Sequence, residues 1–358
     1  MSSLFTPLTV GPLTLANRIF MAPLTRCRAD ADHVPTTIMA EYYSQRASAG
    51  LIVAEATMAI EGNSAFGARE PGIYSEAQII GWKKVIEAVH AKGGLIFLQI
   101  WHGGRACHPL LNNGAQPVAP SPLAITGDET HTPEGKKPYV VPRELRDDEL
   151  PGIVEGFRKA AANAKAAGFD GVEVHGANGY LLDEFLRDGS NKRTGPYGGP
   201  IENRARLLLE VIDAVISVWG KERVGVRISP LNSYNDMIDS DPVGVTRYVA
   251  AKLNERGIAY LHLMRSDFFG VQKGDIVPVA REAFKGVLVG NMGYTREEAD
   301  SAIAAGQLDA VAFGHQYVSN PDLVERLKAG AILASSDAST FYTNDARGYT
   351  DYPVFAAA

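Results

Sequence analysis

The sequence predicts an α/β protein built as a single (β/α)8 TIM barrel, with an N-terminal β-hairpin plug and a long loop after strand three. Three observations carry this. Apolar β-type runs alternate eight times with amphipathic helical stretches. Most of those runs are continuously apolar, as strands covered on both faces require. The chain has 358 residues, and a barrel core takes roughly 250, so the surplus must lie in extra segments.

The units follow in order. RIFMAPLT (18–25) precedes the helical TIMAEYYSQRASAG, and LIVAEATM (51–58) precedes SEAQIIGWKKVIEAVHAKGG. LIFLQIW (95–101) leads, after a long loop, to DELPGIVEGFRKAAANAKAAG. GVEVHG (171–176) leads to a helix around 203–219. VGVRISP (224–230) precedes PVGVTRYVAAKLNERG, and AYLHLMR (259–265) precedes IVPVAREAFKG. VLVGNMG (287–293) precedes TREEADSAIAAG, and LDAVAFG (308–314) precedes NPDLVERLKAG. Glycine is expected to close seven of the helices, at Gly50, Gly93, Gly168, Gly257, Gly286, Gly306 and Gly330. A doubly wound sheet would want a glycine-rich turn after strand one, and MAPLTRCRAD has no glycine.

Three segments hold the surplus. Residues 1–17 read as a hairpin turning at Gly11-Pro12, a plug under the barrel. Residues 102–146 are rich in Pro, Gly, Asn and Thr, and a loop that long usually serves as a lid or binding element. The tail, 331–358, carries Phe341, Tyr342, Tyr349, Tyr352 and Phe355. One domain, 1–358, is therefore expected.

Composition narrows the function. The chain is 46% hydrophobic and 21% charged, as in ordinary globular proteins. Its formal charge of −6 argues against nucleic acid as a partner, since phosphate contacts need a basic face. Two cysteines, Cys27 and Cys107, cannot supply a four-thiolate metal or iron–sulfur site. No apolar run is long enough for a membrane span. The N-terminus lacks a basic stretch ahead of an apolar core, so no secretory leader is expected. The expectation is a cytoplasmic, metal-free enzyme, monomer or homodimer, with reduced cysteines.

Barrel active sites lie at the C-terminal ends of the strands. Those ends carry Pro23-Leu24-Thr25, Glu55-Ala56-Thr57, Gln99 with Trp101-His102, His175 with Asn178 and Tyr180, Arg227, Gly290-Asn291, and Gly314-His315. Singly, Gln99 or Arg227 also fits a paired core residue, and His315 a solvated loop. Together they make one chemistry. Gln99 offers a donor and an acceptor to an imide edge. Arg227 is a fixed cation for negative charge on a ring. Thr25 can donate to a carbonyl. Gly290, Asn291, Gly314 and His315 stand beside the last two strands, where barrels commonly hold phosphate. An imide edge, an anion stabiliser and a phosphate site describe flavin mononucleotide (FMN).

These residues resemble the Old Yellow Enzyme family of flavin-dependent ene-reductases. The resemblance runs from Pro7 to Pro353 and is most specific in GVEVHGANGYLLDEFLRDGSNKRTGPYGGPIENR (171–204). LQIWHGGR, APLTR, SNPDL and GYTDYP support it. It implies that FMN is tightly but non-covalently bound. Thr25 would meet the flavin O4, Gln99 its pyrimidine edge, and Arg227 its N1 and O2 side. The backbone of Pro23, Leu24 and Ala56 would line the ring. Trp101, Phe66 and Tyr342 would shape the substrate pocket. His175 and Asn178 would grip the substrate oxygen, and Tyr180 would give the proton. There are departures. His315 stands where the family usually has Arg, Gly195 and Pro200 where Asp and Ser are commoner, and Phe66 near a position often held by Tyr. Thr25 places the chain in the threonine-bearing branch rather than the cysteine-bearing one.

The implied activity is reduction of an activated alkene such as an enone, enal, maleimide or nitroalkene. NADPH or NADH donates the hydride by way of flavin N5. Nicotinamide and substrate would share one site in turn, a ping-pong scheme that needs no dinucleotide fold. Alternatives are a reductase of nitroesters or nitroaromatics, a flavin-free phosphate-binding barrel using Glu55 or Glu173, and a non-catalytic flavin binder.

Overall fold

The computed structural model describes residues 2–67 and 69–355, so Met1 and the last three residues of the expected tail lie outside it. Eight parallel strands close into a barrel. They are β1 Ile19–Met21, β2 Leu51–Met58, β3 Ile96–Trp101, β4 Gly171–Gly176, β5 Val224–Ile228, β6 Tyr260–Met264, β7 Val287–Asn291 and β8 Ala310–Phe313. Each pairs with its sequence neighbours, and β8 closes on β1. The outer helices are α1 Thr37–Gln45, α2 Glu76–His90, α3 Leu150–Ala167, α4 Arg206–Trp219, α5 Pro242–Arg256, α6 Val277–Ala283, α7 Arg296–Ala304 and α8 Leu323–Ala329.

Local chemistry sets many of the ends. Ser75 and Gln78 form a capping box on α2, and Thr295 and Glu298 one on α7. Gly168, Gly257 and Gly330 end α3, α5 and α8 in the left-handed conformation. Two of the seven expected closures differ. Gly50 and Gly286 do not have a positive φ. A Cβ on Gly50 would lie 2.2 Å from the Asn17 carbonyl oxygen, so that glycine answers a close backbone approach. At Gly286 the obstacle is the Phe284 ring, 2.8 Å away.

Strand alternation divides the apolar side chains into two sets. Val172 and Val174 of β4 join the large cluster shared with the helices. Phe20, Leu51, Phe97, Tyr260 and Val289 fill the barrel interior. The hairpin Leu8–Val10/Leu13–Leu15 adds Leu8, Val10 and Leu15 to that interior set and plugs it. Each such burial contributes on the order of 1.5–3 kcal/mol.

The loop after β3 is folded. It holds two 3-10 turns, Gly104–Ala106 and Pro109–Leu111, and a hairpin of Glu129–Thr132 with Gly135–Pro138. Arg105 ties it across the mouth, donating through Nη2 to the carbonyls of Asn235 (2.9 Å) and Asp236 (3.0 Å). The backbone N–H of Arg105 donates to Glu184 Oε1 at 2.8 Å, and burial pushes that carboxyl up to about 8.

A pH effect follows from Glu184. Its folded pKa lies above the unfolded value, so the folded chain holds the extra proton. The stabilisation is complete below about pH 4.5 and is lost as pH rises through about 8. We expect the melting temperature to fall between pH 6 and pH 9, and Glu184→Gln to flatten that fall. Equal slopes for variant and parent in a calorimetric pH series would refute the assignment.

Candidate active site

In-register pairing builds the site in layers. Gln99 sits beside Glu173 in the β3–β4 ladder, and His175, Arg227 and His262 lie side by side across β4, β5 and β6. All five are buried. Gln99 Nε2 donates to Glu173 Oε1 at 2.8 Å. Glu173 Oε2 accepts from the Tyr260 hydroxyl (3.0 Å) and lies 2.9 Å from His262 Nδ1. Burial would raise the Glu173 carboxyl, but His262, Arg227 and Gln99 hold it below its usual value. Burial lowers His262, so the pair is best described as a carboxylate receiving hydrogen bonds from neutral groups. Glu173 is thus committed to the barrel frame. Glu55 is too, accepting from the Arg26 N–H (3.1 Å) and the Tyr43 hydroxyl (3.0 Å). Neither carboxylate stands free at the mouth as the flavin-free barrel reading would want.

Arg227 is aimed by Asn291. Its Nη2 donates to Asn291 Oδ1 at 2.8 Å, and Asn291 Nδ2 donates to the Ala312 carbonyl at 2.8 Å. The Asn291 side chain is therefore spent bridging β5 to β8. Gly290 is a ladder residue of β7, and a Cβ there would meet Leu308 at 2.4 Å, so its bareness serves packing. Gly314 lies next to Leu24 and Ala22 of the β1 loop. His315 is exposed and opens a short helix, its Nε2 3.1 Å from the Ser336 hydroxyl. Thr25 and Leu24 are half-buried and Pro23 is buried.

Above the β3 and β4 ends an aromatic wall forms. Trp101 meets Tyr180 edge-to-face with centroids 5.1 Å apart, and the Tyr180 and His175 rings lie 5.3 Å apart. Phe66 lies 6.0 Å from Trp101, 6.3 Å from Tyr180 and 6.2 Å from Tyr342. Ala56 belongs to the same cluster. Tyr180 caps the short helix Leu181–Leu186. Burial, with Tyr234, Tyr139 and Tyr342 nearby, pushes its phenol well above the usual value, and a hydrogen bond from Asn235 opposes this. Burial drives the His175 imidazole well below its usual value, with Arg227 and His262 adding to the effect. At neutral pH the pocket therefore holds a neutral imidazole beside a protonated phenol. Asn178 has a left-handed backbone (φ 59°), a conformation asparagine tolerates.

Among the described residues, four buried polar atoms around this mouth have no partner: Trp101 Nε1, His175 Nδ1, Arg227 Nε and His262 Nε2. Buried polar groups are nearly always satisfied, so a polar ligand is expected among them. Among the described residues, no helix is long and apolar enough to cross a membrane, and no group of three or more His, Cys, Asp or Glu is placed to hold a metal ion.

A profile of the NADH:flavin oxidoreductase / NADH oxidase family matches residues 3–333. The chain belongs to that family. It is 53% identical over 352 residues to a probable flavin mononucleotide-dependent alkene reductase of Leishmania infantum, covering 97% of this chain and 96% of that one. The solved old yellow enzyme of Trypanosoma cruzi superposes with a TM-score of 0.96 at 47% identity, over 99% of both chains. Morphinone reductase in complex with tetrahydroNAD does so with a TM-score of 0.94 at 47% identity, over 99% of this chain and 98% of that one.

For this family member, the structure adds residues that sequence reading missed. His262 and Tyr260 complete the Glu173 network. The signal was a polar residue at the inward phase of an otherwise apolar strand. Arg26 and Arg28, in the loop that carries Thr25, hold the tail. Arg26 donates to the Gly348 carbonyl (2.7 Å), and Arg28 to those of Phe341 (2.7 Å) and Thr340 (2.9 Å). The tail brings Tyr342, 59% exposed, against Phe66. Nothing local in the sequence reports that pairing.

Proposed function

We propose that the chain is an FMN-dependent NAD(P)H oxidoreductase that reduces the C=C bond of activated alkenes. The observation that carries this reading is the mouth geometry: neutral His175 beside protonated Tyr180, their rings 5.3 Å apart, with the Arg227 cation paired in register to His175 and aimed by Asn291.

The unpartnered Arg227 Nε suits the anionic side of a flat heterocycle, and Gln99, with one Nε2 hydrogen given to Glu173, keeps its Oε1 and its second N–H for an imide edge. Thr25, Gln99 and Arg227 would hold the polar rim of FMN, and Pro23, Leu24 and Ala56 would line its ring. Gly290, Asn291 and Gly314 would offer backbone N–H groups to its phosphate, and His315 a side-chain donor. When bound, the flavin supplies to the alkene a hydride that NADPH or NADH has delivered.

The remaining steps belong to the protein. His175 and the Asn178 amide donate to the substrate oxygen and stabilise charge that develops there. Tyr180 gives its proton to the α-carbon as a general acid. Trp101, Phe66 and Tyr342 wall the pocket against water. Nicotinamide and alkene use the same donors in turn, a ping-pong order. Cys27 and Cys107 are buried free thiols, which supports a reducing compartment such as the cytoplasm. All assigned residues lie on one chain, so the reading holds for a monomer or a homodimer within a single domain.

The test is colour. Purified protein should be yellow and should bleach anaerobically with NADPH. Cyclohexenone or N-ethylmaleimide should restore the yellow. Colourless protein that takes up no added FMN would overturn the reading, and bleached protein that no alkene re-oxidises would reduce it to a flavin binder.

A further inference from the structure

We infer that Asn232 decides which end of the Asn178 amide faces the substrate, making it a positioning residue for the carbonyl clamp. This rests on the clamp role proposed for Asn178. Asn232 lies in the loop after β5 and is fully buried. Its Oδ1 accepts from the backbone N–H of Phe268 at 3.2 Å and, more weakly, of Tyr234 at 3.5 Å. Two N–H donors on one side fix the orientation of that amide, because a flipped NH2 would face donors. Its Nδ2 is then obliged to point the other way, where it donates to Asn178 Oδ1 at 2.9 Å.

The consequence passes to Asn178. An amide has one acceptor end and one donor end. With its oxygen held by Asn232, Asn178 keeps its NH2 as the end left for the substrate in the clamp role, and that group has no hydrogen-bond partner among the described residues. The Asn178 backbone is fixed separately: its N–H donates to Ser229 Oγ (2.8 Å) and its carbonyl accepts from Asn235 Nδ2 (2.9 Å). Asn232 therefore governs the side-chain end and not the loop. The pocket becomes one that offers donors and selects ligands with an acceptor oxygen.

The test is the affinity of the holoenzyme for cyclohexanone, a saturated ketone it does not reduce, followed by titrating the flavin absorbance. Asn232→Asp keeps the shape and replaces the donor by a carboxylate oxygen. That oxygen attracts the Asn178 NH2 and turns the Asn178 oxygen into the pocket. Affinity should fall roughly tenfold or more, and by roughly three-fold for Asn232→Ala, where the amide is merely released. In an Asn178→Ala background both Asn232 substitutions should have little further effect, the non-additivity of a residue acting through its neighbour. A retained visible spectrum shows that each variant holds flavin. If the Asp variant loses its flavin, the Ala pair of the cycle decides by the same criterion. The inference is overturned if Asn178→Ala weakens binding while neither Asn232 substitution does, or if they weaken it equally with and without Asn178. Unchanged affinity in Asn178→Ala alone would instead defeat the clamp reading, and this inference with it.

Discussion

Replacing Tyr180 by phenylalanine is expected to slow alkene reduction by roughly 10²–10⁴-fold, the range for losing a positioned general acid. Reduction of the flavin by NADPH should stay close to the parent rate, since that half-reaction needs no proton from Tyr180. The substitution is mild. The ring keeps its contacts with Trp101 and His175, 5.1 and 5.3 Å away between centroids, and loses only the hydroxyl. Burial raises the phenol well above its usual value, so the proton is present at every working pH. His175 is held neutral for the same reason. Neither group should therefore add a titration to the rate near neutrality. Stopped-flow absorbance separates the two half-reactions. An equal fall in both would remove Tyr180 from the acid role.

The second large effect should follow from Arg227→Met. The guanidinium is buried, which lowers its pKa, while Glu173 opposes that, and arginine remains charged at neutral pH. Its Nε lacks a partner and its Nη2 is held by Asn291. A hydrogen bond to a charged group contributes about 1.5–3 kcal/mol, so FMN affinity should fall roughly 10–100-fold. The fold should survive, because Glu173 keeps Gln99, Tyr260 and His262 as partners. Fluorescence of FMN released on dilution measures the loss, and a thermal melt checks the fold. Retention equal to the parent would show that Arg227 does not hold the flavin.

The barrel was legible because its signals are local. An apolar run such as LIVAEATM, a capping box such as Ser75–Gln78 and a closing glycine such as Gly168 each report on their own segment. The candidate residues were legible for a related reason. A polar side chain at the end of an apolar strand can only stand at a rim. Gln99, His175 and Arg227 fall at such ends, and parallel register then brings them together. Where a cue had more than one cause, local reading went astray. Gly50 and Gly286 follow helices as closing glycines do, yet contacts from Asn17 and Phe284 explain them.

Which side chains pair across the closed barrel was not visible in the chain. Asn291 was legible as a phosphate-side residue through its backbone N–H, but not the use of its side-chain amide to join Arg227 to the Ala312 carbonyl. Asn232 orients Asn178 from 54 positions away, and Arg28 holds carbonyls more than 310 positions distant. The chain's local order of apolar, polar and glycine residues set the eight units, their direction and the identity of the rim. Barrel closure set the partners, because a hydrogen bond between remote residues depends on the register at which strands meet, and no local pattern encodes it.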